Sequence, residues 1–457
     1  MGGFNRPDDI ILLFDDYSQD SQNLHASFEQ AGCQCPAAVI EDDGFLPADV
    51  MSVYGFFLGS FQGVKGIPGR PRYFNQITVP KYWEISGNNR GGEIHHLYRV
   101  RGKIFYAKPG HRRLVKVVDW YDERGVVRSS DHYNRYGALY ARTIFNAKGQ
   151  KVNKTYFSGT GQEIIMENFV TRNIILNDGP KVRFFSSKTE FVRYFLEKTG
   201  FDQKRIFFNS LSTPFFVSQS LPATAMGKRD VLFWQEPVDN EIPGNMQIIL
   251  KGGAGRTSKI MVQKQSSYDK LLKLGASPDI VGKLGFIYPF KKENSHMPKA
   301  LICTNSDDIE HCRKLIEALP QMHFHIAALT EMSSKLMSIG SYENVSLYPA
   351  VKMNVLDELF ETCDYYLDIN KGSEIVSAVY QAFLHNHLIF AFQGTLHNQE
   401  YVAEESIYPS DAPDRMISHI RGAMEDETVM TAGLEKQRNR AFAETPGAYI
   451  RCLDTSF

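Results

Sequence analysis

The sequence predicts an α/β chain with two doubly wound parallel-sheet domains, the first interrupted by a large antiparallel β-sheet. Three observations predict it. Residues 9–40 open as strand, helix, strand, and from residue 299 onward short apolar segments alternate regularly with helical ones. Between these regions five aromatics, Tyr121, Tyr133, Phe145, Phe157 and Phe169, stand twelve residues apart, and Gly125, Gly137, Gly149 and Gly161 keep the same step.

In the first domain a strand is expected over 9–14, a helix over 21–31 ending at Gly32, and a second strand at 39–40. From about residue 73 to 185 strand and turn signals dominate. Each repeated glycine closes a four-residue turn opened by Asp122, Asn134, Asn146 or Ser158. The short polar side chain bonds its own backbone, and glycine takes the left-handed conformation that reverses the chain. Eight residues remain for each strand, so the repeat reads as a hairpin ladder. Residues 138–145 and 150–157 mix Arg, Lys, Thr and Asn with aromatics on both alternating faces. A sheet buried on one face alternates cleanly. The expectation is therefore a broad, largely single-layered sheet that serves as a contact surface.

Helical signals resume at Ser187-Lys-Thr-Glu190, a capping box, with Phe191, Tyr194 and Phe195 following and Gly200 closing the helix. Strand candidates follow at 206–208, 231–234, 246–250 and 260–263. These assign 1–59 and 186–285 to the first domain and 60–185 to the inserted sheet. The second domain covers 286–457. Its strands are expected at 300–303, 323–327, 345–348, 365–369 and 388–392, with helices near 307–319, 332–339, 355–363 and 374–385. Short apolar strands of this kind suit a parallel sheet covered on both faces.

At 457 residues with 43% hydrophobic and 23% charged content, the composition is that of an ordinary globular protein. A net charge of -1 predicts no general attraction to nucleic acid or membrane. No apolar run is long enough for a membrane span, and residues 1–11 do not read as a secretory signal. Six scattered cysteines, with only the Cys33-x-Cys35 pair close in sequence, fit free thiols in a reducing cytoplasm.

Two doubly wound domains across a cleft suit nucleotide-sugar transferases, which need a basic pair for the diphosphate and two carboxylates in the last strand–helix unit. Aligned on Ala382, those carboxylate positions hold Ser373 and Gln381, and Glu374 is one residue off, pointing elsewhere on a helix. After strand 300–303, where an Arg and a Lys are usual, stand Asp307, Asp308 and Glu310. Acids there repel a diphosphate. No catalytic residue, cofactor or metal ligand is assigned. The glycine-rich stretch 251–256 lacks phosphate-loop and dinucleotide spacing, and His323/His325 and His385/His387 lack further ligands of matching spacing. No acid lies between Glu93 and Asp119, a stretch holding Arg99, Arg101, Lys103, Lys108, Arg112, Arg113 and Lys116. Three readings stay open for it: a charge-protected sheet edge, a site for an anionic partner, or a membrane-facing patch.

Segments 11–15 (Ile-Leu-Leu-Phe-Asp), 44–47 (Gly-Phe-Leu-Pro), 82–85 (Tyr-Trp-Glu-Ile), 115–120 (Val-Lys-Val-Val-Asp-Trp), 206–210 (Ile-Phe-Phe-Asn-Ser) and 366–369 (Tyr-Leu-Asp-Ile), with the ladder, resemble a known family. It is the stabilising subunit of the bacterial peptide O-N-acetylglucosaminyltransferase that works with the accessory Sec route for serine-rich-repeat adhesins. The resemblance implies two Rossmann-like domains of the GT-B type with an extended β-sheet insertion. It also implies a catalytic glycosyltransferase subunit as partner, with two copies of each, and a Ser/Thr-rich acceptor modified in the cytoplasm, with membrane association peripheral. The missing carboxylates agree with a non-catalytic role. A cleft freed of donor is expected to hold the acceptor polypeptide, with walls near Trp234, Glu236, Lys251, Gly252, Arg256, Asp368 and Asn370, at strand ends. Two other classes stay open: an active GT-B retaining glycosyltransferase using a nucleotide sugar, and a polypeptide- or glycan-binding protein acting alone.

Overall fold

The apolar run Ile10–Phe14 forms β1, and Ser18 caps α1 (Gln19–Gln30) by accepting from the Ser21 amide. β2 (Ala37–Val39), β3 (Val50–Ser52) and α2 (Val53–Leu58) follow. The computed structural model describes residues 9–59, 69–222 and 229–454. It divides into two compact units, Met1–Lys283 with Tyr449–Phe457, and Leu284–Ala448.

The ladder lies in the first unit. Its strands are β4 (Glu84–Gly87), β5 (Gly92–His96), β6 (Arg99–Tyr106), β7 (Val115–Tyr121) and β8 (Val127–Tyr133). They continue with β9 (Leu139–Phe145), β10 (Lys151–Phe157), β11 (Glu163–Asn168), β12 (Ile174–Asp178) and β13 (Lys181–Phe185). All ten pair antiparallel in simple sequence order. The repeated glycines have φ of +78, +77, +73 and +82°, as the turn requires. The twelve-residue step has a second cause. At each hairpin one residue of the later strand has no partner: Arg128, Tyr140, Val152 and Ile164, themselves twelve apart. Tyr121, Tyr133, Phe145 and Phe157 occupy the last pair before each turn, beside this repeating bulge.

The sheet is not largely single-layered. Behind β9–β13, Tyr140, Tyr156, Ile165, Ile174, Leu176 and Phe185 share a core with Tyr54 of α2 and with α3 (Lys188–Thr199). Tyr54 stacks on Tyr156 at 4.5 Å and donates to Glu167 at 3.2 Å. In the other half Ile94, Ile104, Val115 and Val118 pack with Ile77, Phe74 and Trp83. The register shows that these halves bury opposite faces. Phe184, Ile175, Met166, Thr155, Arg142, Asp131, Val118 and Ile104 are successive partners across the sheet, and this row runs from exposed Phe184 to buried Ile104. The neighbouring row from Phe185 to Lys103 runs the other way, from buried to exposed. Mixed faces in the sequence thus reflect a change of covered side, not an uncovered sheet.

Beyond the ladder, Ser187 caps α3 through the Glu190 amide, while the Glu190 carboxylate reaches the Ser186 amide at 2.8 Å instead of that of Ser187. Then come β14 (Arg205–Phe208), α4 (Thr213–Ser220), β15 (Asp230–Trp234), α5 (Gly244–Leu250), β16 (Thr257–Val262), α6 (Gln265–Lys273) and β17 (Val281–Lys283). The expected strand at 246–250 is therefore a helix. Pro243 stands at its N-cap, and a short apolar run fits either state until its neighbours decide. The parallel sheet has the order β17-β16-β15-β14-β1-β2-β3. Tyr449 returns to this unit and packs edge-on against Phe28 at 5.4 Å.

The second unit contains β18 (Lys299–Thr304), α7 (Cys312–Ala318), β19 (His323–Ala328), α8 (Ser334–Met337), β20 (Val345–Tyr348) and α9 (Met353–Thr362). After these come β21 (Tyr365–Asp368), α10 (Ala378–Leu384), β22 (Leu388–Phe392), β23 (Ile407–Tyr408), α11 (Pro413–Glu425) and α12 (Glu427–Arg440). The strand order is β20-β19-β18-β21-β22-β23, all parallel, with the order of connection reversing between β18 and β21. Two expected helices start late: α7 only at Cys312, and α10 only at Ala378, after Val376 and Ser377 take positive φ.

Candidate functional site

Open α/β sheets bind ligands beyond the carboxyl ends of their strands, at the switch point. In the second unit that place is the pair of loops after β18 and β21, and these are joined to each other. The Glu310 amide donates to Ile369 at 2.8 Å and the Lys371 amide to Asp308 at 3.0 Å. Thr304 donates to Asn370 Oδ1 at 2.9 Å, and Asn305 Nδ2 to Ser373 Oγ at 2.7 Å. Gly372 sits so close that a Cβ there would meet Asn305 Oδ1 at 1.9 Å. Asp307 and Asp308 face solvent, and Lys371 pairs with Asp308 at 3.6 Å, so one of the acids is partly compensated. A cavity of about 270 Å³ beside these loops is lined by Thr304, Asn305, Ser306, Asp307, Thr330 and Glu331, with no cationic side chain in its wall.

Both positions expected to hold a carboxylate carry neutral side chains, each bonded to another loop. Ser373 is held by Asn305, and Gln381 accepts from Lys291 Nζ at 3.0 Å. Glu374 is not on a helix, as the sequence had suggested. It precedes α10 and accepts from the Val379 amide at 2.9 Å, satisfying an amide left unpaired at the helix start.

Asp368 and Asn370 do lie at the carboxyl end of β21, but both are buried and engaged. Asp368 accepts from the His397 amide at 2.8 Å and meets its Nδ1 at 2.5 Å, while His397 Nε2 reaches the Gly372 carbonyl at 2.8 Å. The hydrogen bond to Asp368 pushes the His397 imidazole up to about 9, so it is a cation at neutral pH. Because the folded value is raised from 6.5, this pair's contribution is fully present below about pH 6.5 and is lost as pH passes about 9. Thermal unfolding at about pH 6 and about pH 10 checks it. The native chain should lose more stability across that window than Asp368→Asn, and equal losses would refute the pairing.

In the first unit the expected wall separates. Trp234 ends β15 at the carboxyl edge with its indole in the core, and exposed Glu236 follows. Lys251, Gly252 and Arg256 follow a helix and precede β16, which pairs parallel with β15, so they lie at the opposite, amino end of the sheet. Their placement as strand ends is corrected: the misread strand at 246–250 had reversed the polarity. Arg256 is buried on the Asp230 carboxylate, with Nε at 3.0 Å from Oδ2 and Nη2 at 3.1 Å from Oδ1.

Sequence reasoning missed the polar row at the carboxyl edge. Asn209, Gln235 and Gln263 each follow a strand, and their amides form a chain, Asn209 Nδ2 to Gln235 at 3.0 Å and Gln235 Nε2 to Gln263 at 2.8 Å. Asn209 also donates to Ser21 of α1 at 2.8 Å, and Ser210 to Asp15 at 3.2 Å. An amide directly after each of three successive strands, β14, β15 and β16, was the available signal. His323 and His325 are held by Ser346 and Tyr348, and His387 by the Phe360 carbonyl.

Two Rossmann-like units of the GT-B type, the first carrying an antiparallel ladder, define a glycosyltransferase-like fold class in which the loops after β18 and β21 bond one another. Four family models match successive stretches. They are the GtfB N-terminal domain over 11–57, the GtfB middle domain over 83–186, the GtfB third domain over 188–274 and the GftB/GlyA-F C-terminal domain over 300–437. The stabilizing protein GtfB of UDP-N-acetylglucosamine–peptide N-acetylglucosaminyltransferase from Streptococcus agalactiae is 42% identical over 97% of this chain and 99% of its own. That of Streptococcus gordonii is 42% identical over 94% and 95%. A chain in the crystal structure of the GtfA/B complex bound to UDP and GlcNAc is 41% identical, with a TM-score of 0.91 over 98% of this chain and 100% of that one. The chain belongs to the GtfB family of transferase-stabilizing proteins.

Proposed function

We propose that the chain is a non-catalytic partner that stabilises and activates a peptide O-N-acetylglucosaminyltransferase and helps to hold a Ser/Thr-rich acceptor. The ladder is the surface for the catalytic subunit. The observation that carries this is the uncovered side of β9–β13, where Val182 and Phe184 on the edge strand β13 are 71% and 63% exposed beside partly buried Ile175 and Met166. A row of this kind, ending at an unpaired strand edge, suits joining another sheet. The relationship to a chain of the GtfA/B complex supports the same reading.

Loss of both carboxylate positions and the joined loops after β18 and β21 support a chain without turnover of its own. Purified alone with UDP-N-acetylglucosamine and a Ser/Thr-rich peptide, it should neither transfer sugar nor hydrolyse the donor. Turnover lost on mutation within 370–382 would favour the active-transferase reading. The acceptor, an extended polypeptide with few anchors, is held by many weak polar bonds of about 0.5–1.5 kcal/mol each. Glu236→Ala should therefore lower acceptor affinity by no more than about tenfold in a fluorescence binding assay. The adhesin acceptor, the accessory Sec route, a cytoplasmic setting with peripheral membrane contact, and two copies of each subunit complete the proposal.

A further inference from the structure

Three side chains of metal-ligand type that the sites above do not use meet beside α1. His25 and Glu29 stand one helical turn apart, and Asp49 comes from the segment leading into β3. One ring nitrogen of His25 and one carboxylate oxygen of each acid all lie within 4.8 Å of one another. The His25 side chain is 7% exposed. Its Nδ1 meets the Tyr17 hydroxyl at 2.9 Å, and its Nε2 faces Glu29 Oε1 at 4.0 Å with no hydrogen-bond partner among the described residues. Neither Glu29 nor Asp49 has a Lys or Arg ion-pair partner among the described residues.

We propose that His25, Glu29 and Asp49 bind one divalent transition-metal ion of the zinc class. Two carboxylates converging on an imidazole, without a cationic side chain between them, leave a local excess of negative charge that such an ion neutralises. Imidazole among the donors selects zinc and its neighbours over magnesium or calcium, which take oxygen. Donors bound at about 2.0–2.2 Å around a tetrahedral ion stand roughly 3.4 Å apart. The acids must therefore close by about 1 Å, and both are exposed and free to turn. Tyr17 would then be the outer partner that fixes the ring, as the second nitrogen of a metal-bound histidine requires. Water completes the shell. The ion ties α1 to the segment that carries α2, whose Tyr54 packs on the ladder.

The full chain, stripped with chelator, is titrated calorimetrically with zinc chloride and, in parallel, with magnesium chloride. One equivalent of zinc should bind and raise the thermal midpoint. Glu29→Gln and Asp49→Asn, exposed positions that leave folding intact, should each weaken zinc at least about tenfold, and Tyr17→Phe about tenfold. Magnesium should give no heat at this site. Absence of zinc binding, zinc affinity unchanged in both carboxylate variants, or equal affinity for magnesium would each overturn the proposal.

Discussion

Val182→Asp and Phe184→Asp together should lower affinity for the catalytic subunit by at least about a hundredfold and leave the circular dichroism spectrum unchanged. The two residues stand two apart on β13 and so share a face, and both are exposed in the isolated chain. Little of the chain's own packing is lost when they change, since both side chains are mostly in solvent. On docking, each is an apolar anchor of the kind whose removal costs about 2 kcal/mol, and a buried unpaired carboxylate adds a desolvation cost. Surface plasmon resonance with immobilised partner reads the result. Wild-type affinity in the double variant would move the docking surface elsewhere on the ladder, to a patch such as Leu97 and Tyr98, also 77% and 84% exposed.

Arg256→Ala should destabilise the first unit by about 3–5 kcal/mol, measured by urea unfolding, with no direct effect on acceptor contacts. Its guanidinium neutralises Asp230, which is wholly buried, and also donates to the Asp202 carbonyl at 3.1 Å, the Pro222 carbonyl at 3.3 Å and the Lys204 carbonyl. Removing it leaves a carboxylate in the core and strands three carbonyls. Arg256→Lys should recover little, because one ammonium does not span these acceptors. A change below about 1 kcal/mol in Arg256→Ala would show that the pair is not a fixed part of the core.

The ladder was legible because glycine at positive φ and a turn-opening Asp, Asn or Ser recur at one period, and the period itself is set by chain geometry. The alternating elements of the second unit were legible for a related reason: each strand is a short apolar run bounded by turn residues. What failed was polarity. Residues 246–250 are apolar enough for a strand, and only Pro243 and the packing of Met246 and Ile249 make them a helix. That single misreading moved Lys251, Gly252 and Arg256 to the wrong end of the sheet. Burial of opposite faces in the two halves of the ladder was also hidden, because each strand alone shows merely mixed character. Spacing assigned the carboxylate positions to Ser373 and Gln381, but the partners of these side chains, Asn305 and Lys291, lie 68 and 90 residues away in sequence. No local pattern reports such pairings.

The stabilising role is decided by sugar transfer from UDP-N-acetylglucosamine to a Ser/Thr-rich polypeptide, measured with this chain alone, with the catalytic subunit alone and with both. That role predicts no transfer by the chain alone and a clear rise when it joins the catalytic subunit, lost again in the Val182→Asp/Phe184→Asp variant. Transfer by the chain alone, or a catalytic subunit indifferent to its presence, would contradict it.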